Sequence, residues 1–120
     1  MRRGEVWWGA PALAGPRRKR RPFLVVSDDV FNESGAYPKV LVVHLTSQRR
    51  PEGPYDWEVT LPRGAAGLSR SCVVKCSEIY TLLKDQLTGR IGALPGSHLA
   101  KVDRALAVAL GLPFTLIAND

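Results

Sequence analysis

A chain of 120 residues, 45% hydrophobic and 23% charged, is one domain's worth of sequence and can bury a core. No apolar run approaches the roughly 20 residues that span a bilayer, and no apolar stretch follows the arginines of the N-terminal MRRGEVWW. The reading is a single cytoplasmic domain, 1–120, with no membrane anchor. Its net charge of +6 is concentrated. Arg17, Arg18, Lys19, Arg20 and Arg21 are consecutive, and the rest of the chain holds twelve basic residues against eleven acidic ones. Such a block suits a polyanionic partner better than a generally solubilising surface.

Short apolar segments separated by turn signals dominate the chain. Residues 4–9 read as a first strand, with Trp7 and Trp8 pointing to opposite faces. Residues 10–20, broken by Pro11, Gly15 and Pro16, read as a loop. Residues 22–27 form a second strand, and 28–32 a short helical turn opened by an acidic cap. The run KVLVVHLTS at 39–47 is continuously apolar and β-branched, as in a central, buried strand. Residues 48–56 are turn-rich. Further strands follow at 57–61, 71–77 and 90–94, with a glycine-rich turn around Gly64 and Gly67. Only the last segment is helical: Ser97 caps it, Leu99, Val102, Leu106 and Leu110 recur at helical spacing, and Gly111 and Pro113 end it. The sum is a mainly β fold, a small and strongly bent antiparallel barrel or sheet with a helix across one side.

Cys72 and Cys76 would stand about 13 Å apart on one strand at about 3.3 Å per residue, too far for a disulfide. They read as two packed thiols. With only His44 and His98 to add, they make a poor set of metal ligands, and no metal or cofactor is expected.

Five blocks in order resemble the MazF/PemK (Kid-like) toxins of bacterial type II toxin–antitoxin systems. They are Arg3-Gly4-Glu5-Val6-Trp7; Arg21-Pro22 followed by Phe23-Leu24-Val25-Val26-Ser27; Leu45-Thr46-Ser47-Gln48; Ser71-Cys72-Val73-Val74 with Gly89-Arg90-Ile91-Gly92-Ala93-Leu94; and Val102-Asp103-Arg104-Ala105-Leu106. The resemblance covers nearly the whole chain. It implies an SH3-like small antiparallel β-barrel with a C-terminal α-helix, usually a homodimer. It also implies a metal-independent, sequence-selective endoribonuclease that cuts single-stranded RNA, leaving a cyclic or 3′-phosphate and a 5′-hydroxyl, and that a cognate antitoxin with an acidic, disordered tail inhibits. The CcdB-like toxins, which bind DNA gyrase on the same barrel, and a non-catalytic RNA-binding barrel are the alternatives.

Arg21 matches the family's catalytic arginine and Thr46 its catalytic threonine. An arginine fits phosphate oxygens with two parallel hydrogen bonds, and a hydroxyl can donate to a third. Glu5, acidic in the family, is either a ribonuclease carboxylate, in which case it is the expected general base, or a salt-bridge partner for the basic loop. Lys19, Arg20, Ser47, Gln48, Lys75 and Ser77 are expected to bind RNA, with Ser77 standing where relatives carry an acidic residue and Glu78 pointing to the opposite face. His44 shares the face of Thr46 but is expected to line the barrel and be dispensable, and His98 to lie at the surface.

Overall fold

The computed structural model describes residues 1–10, 20–48 and 50–113. Lys19, with Arg17 and Arg18 of the basic run, therefore lies outside the described residues. Among the described residues, six strands, β1 (Glu5–Gly9), β2 (Arg21–Val25), β3 (Lys39–Thr46), β4 (Glu58–Leu61), β5 (Cys72–Leu83) and β6 (Leu87–Ala93), accompany two α-helices, α1 (Asp29–Asn32) and α2 (Gly96–Leu110). Every ladder is antiparallel, in the order β4-β5-β3-β2-β1-β6. The fold is mainly β with a C-terminal helix, as expected. Among the described residues β4 and β6 are the two edges and no ladder joins them, so the sheet bends without closing.

The central position of β3 explains its unbroken apolar run. Val43 and Leu45 face a core built with Val6, Leu24 and Val74, over which α2 lays Val102, Ala105 and Leu106. Val40 and Val42 face the other way, into a second core with Phe23, Val25 and Leu82. A strand covered on both faces loses the alternation that marks a half-buried one. Val6, Leu24 and Val43 are wholly buried, and each such side chain contributes about 1.5–3 kcal/mol.

Arg3 ties the first strand to both helices. Its backbone N–H donates to Asp29 (2.6 Å), its Nε to the Val26 carbonyl (2.9 Å), and its Nη2 pairs with Asp103 on α2 (2.5 Å). Asp28 caps α1 by accepting from the Val30 N–H at 2.8 Å. In α2 the expected cap is displaced. Pro95 is the N-cap, its carbonyl accepting from the His98 and Leu99 N–H groups at 3.0 Å, and Ser97 falls inside the first turn. Gly111 ends α2 in the left-handed region (φ 72°), where only glycine is unstrained.

Two strands run longer than alternation predicts, because pairing extends them. β5 continues to Leu83 by pairing with the first half of β3, from Lys39 opposite Leu83 to Val43 opposite Ile79. β6 starts at Leu87, opposite Gly9. The β3–β5 register then jumps. Val43 pairs with Ile79 but His44 with Lys75, leaving Cys76, Ser77 and Glu78 extra on β5. Such an insertion bends the strand and breaks side-chain alternation.

Candidate active site

Phe23 on β2 pairs with His44 on β3. That is the last pair of the ladder; continued two steps further the same register would set Arg21, at the start of β2, level with Thr46, at the end of β3, and both line one cleft. Residues two apart share a face, so Arg21, Phe23, His44 and Thr46 belong to one side of the sheet. Arg21 is exposed and Thr46 half-buried. The Thr46 hydroxyl oxygen accepts the Gln48 N–H at 3.2 Å, which orients it and leaves its proton to donate.

Two clefts meet at this ridge, with Thr46 and Gln48 lining both. One, of about 510 Å³, brings together Arg20, Arg21, Ser47 and Arg70. Its described lining holds three arginines and no carboxylate, so its potential is positive. Arg20 lies over the Trp8 ring at 5.2 Å. Arg70 is a residue the sequence reading passed over; a cation next to the Gly64–Gly67 turn was the available signal.

The other cleft, of about 540 Å³, is lined by His44, Lys75, Glu78, Glu58 and Arg50 among others. Lys75 thus reaches the site, but its ammonium is engaged by Glu58 at 2.6 Å. The Glu58 side chain is only 1% exposed and also accepts from Arg50 and from the Tyr55 N–H at 3.1 Å. Burial alone would raise the Glu58 carboxyl, yet its bonds to Lys75, Tyr55 and Arg50 outweigh burial and hold it below the usual carboxylate range. Sequence reasoning missed Glu58 because WEVTL shows ordinary alternation, with the acid on the polar side.

Glu58→Gln should keep the shape and lose the charge. It leaves two cations facing an amide, and the protein should lose about 3 kcal/mol, the low end for a broken buried pair, since Arg50 is one-third exposed. A carboxylate whose folded pKa is lowered contributes stability above its unfolded value and loses it as pH falls through the folded value. The stability of the wild type, read by chemical denaturation, should therefore fall below about pH 4.3, and part of that slope should vanish in Glu58→Gln. Equal slopes would remove the role given to Glu58.

Glu5 is not brought to either cleft. Gly9 pairs with Arg21, and Glu5 stands four residues back along β1, about 13 Å away. It accepts from Arg90 Nε (2.7 Å), the Arg2 N–H (2.6 Å) and Trp7 Nε1 (3.1 Å). Burial pushes its carboxyl up, but these bonds and the Arg90 charge prevail and lower it, which makes it a weaker base. Trp7 packs against the second core, opposite in direction to Trp8.

Ser77 is exposed and lines neither cleft. The insertion in β5 reverses the expectation: Glu78 enters the cleft instead. His44 is half-buried, in an edge-on contact with the Phe23 ring, the ring centroids 6.2 Å apart. Burial lowers its pKa below the ordinary histidine value; Glu78 pulls it up, and Arg21 and Lys75 push it further down. His98 is half-buried rather than superficial. Among the described residues no three His, Cys, Asp or Glu side chains cluster as metal ligands, and no helix is long and apolar enough to cross a membrane.

Comparison with known proteins shows the family. Residues 2–110 match the PemK-like, MazF-like toxins of type II toxin–antitoxin systems. The chain belongs to that family. It is 35% identical to the endoribonuclease MazF2 of Mycobacterium bovis over 113 residues, 92% of this chain and 96% of the relative. It is 30% identical to the endoribonuclease EndoA of Bacillus subtilis over 115 residues, 93% and 96% of the two chains. Among solved structures it resembles an endoribonuclease in complex with its cognate antitoxin from a mycobacterial species, with a TM-score of 0.77, 30% identity, and 94% and 97% of the chains covered.

Proposed function

We propose that this chain, as one domain, is a toxin endoribonuclease that cuts single-stranded RNA at the ridge between the two clefts. The observation that carries the reading is that Arg21 and Thr46 line one cleft together with Arg20 and Arg70. The names of the relatives support it over the gyrase-binding and binding-only alternatives. In such a reaction the 2′-hydroxyl attacks the neighbouring phosphorus, and two negative charges build up on the phosphorane oxygens. Arg21 meets those oxygens with paired, charge-assisted hydrogen bonds, and the Thr46 hydroxyl donates a third. Arg20, Arg70, Ser47 and Gln48 hold the flanking backbone and bases. The products are a 2′,3′-cyclic phosphate and a 5′-hydroxyl.

The arginine-rich cleft also suits the acidic tail of an antitoxin, in line with the antitoxin complex of the structural relative. We extend the reading to a homodimer working in the cytoplasm on a preferred RNA sequence. The test is incubation with a long single-stranded RNA in excess EDTA. Because Arg21 and Thr46 cover the developing charge themselves, discrete fragments should appear at the rate seen without chelator. A mobility shift without fragments would reduce the protein to a binder, and cutting lost to EDTA and restored by a divalent cation would refute the metal-free scheme.

A further inference from the structure

We propose that His44 accepts the proton of the attacking 2′-hydroxyl, and that Glu78, carried into the same cleft by the insertion in β5, is the carboxylate that positions it. The inference rests on the reading of Arg21 and Thr46 as the phosphate site. Its first support is elimination among named groups. Glu5 is about 13 Å down β1 and bound to Arg90, and Glu58 is committed to Lys75 and Arg50. Lys75 is in turn held by Glu58, and Ser77 lies outside both clefts.

The second support is position. His44 sits two residues from Thr46 on the same face, roughly 7 Å along the strand, so a ribose next to a phosphate on Thr46 and Arg21 fills the gap between them. The groups facing the imidazole are Arg21 and the Phe23 ring from β2, Lys75 and Glu78 from β5, and Glu58 on β4, which pairs with Lys75. Burial together with Arg21 and Lys75 favours the neutral ring, the form that accepts a proton; Glu78, which pulls the other way, stabilises the imidazolium once formed. The proton passes from the 2′-oxygen to the ring nitrogen as the 2′-oxygen bonds to phosphorus. The bond from phosphorus to the 5′-oxygen breaks, that oxygen takes a proton from water in the open cleft, and the imidazolium returns its proton to the hydroxide left behind.

The test is single-turnover cleavage at subsaturating RNA across pH, for wild type, His44→Ala, His44→Gln, Glu78→Gln and Arg21→Ala, each checked by thermal melting. Wild type should show a rate that rises with pH below neutrality. Both His44 variants should be slowed at least about tenfold and lose that limb, and free imidazole should restore part of the rate to His44→Ala. Glu78→Gln should keep the limb but move it to lower pH, since it removes the charge that raises the imidazole. A limb and rate unchanged in His44→Gln would overturn the inference, as would a limb lost in Glu78→Gln alone. Arg21→Ala separates the two levels of argument. If it cuts like wild type, the phosphate site itself is misplaced; if it is inactive while the His44 variants are normal, only the role of His44 falls.

Discussion

Arg21→Ala is expected to lose at least about a hundredfold in the rate of RNA cleavage, the usual effect of removing one preorganised donor to transition-state charge. The side chain stands at the first residue of β2, exposed, on the rim of the positive cleft that Thr46 also lines. Nothing in the core depends on it, so the variant should melt like the wild type. Pro22 follows directly and fixes its own φ, which stiffens the entry to the strand that aims the guanidinium. Arg21→Lys should recover little, because an ammonium cannot make the two parallel hydrogen bonds that fit a phosphate. A folded Arg21→Ala protein cutting within a few-fold of wild type would mean that the chemistry lies elsewhere.

The largest loss of stability is expected from Gly92→Ala, about 3 kcal/mol or more, the upper range for overpacking. Gly92 lies on β6 opposite Val6. A methyl group there would come 2.2 Å from the Ala66 carbonyl oxygen and 2.6 Å from its carbon. Both are backbone atoms, so no rotamer change relieves the clash. Ala66 itself holds a left-handed conformation (φ 53°), which already costs energy. The segment that must yield continues into Gly67, Leu68, Ser69 and Arg70, one wall of the positive cleft. The melting temperature should therefore fall by about 10 °C or more, and RNA affinity should drop with it. Melting that matches wild type would show that the β6 approach to Ala66 is looser than its geometry indicates.

How much of this was legible in the sequence depends on how local the deciding physics was. The unbroken apolar run of β3 marks it as a strand covered on both faces, and two cores pack against it. Gly111 ends α2 where only a glycine is unstrained, and Asp28 caps α1 through its own side chain. The family motifs hold Arg21 and Thr46, which line one cleft. These features follow from residue type and short-range spacing.

What the sequence could not decide is pairing between distant strands, because register is chosen by all the contacts of both strands together. The three-residue insertion in β5 exists only relative to β3, and it alone sends Glu78 rather than Ser77 into the cleft. The same holds for Glu58, an unremarkable acid by alternation that becomes a buried partner of two cations once β4 pairs with β5. It holds for Glu5 too: its acidic character suggested a base, but the β1–β2 pairing sets it four residues from the position opposite Arg21. The chemistry-bearing residue types were written in the chain; which of them share a cleft was settled by strand register, a property of the whole sheet.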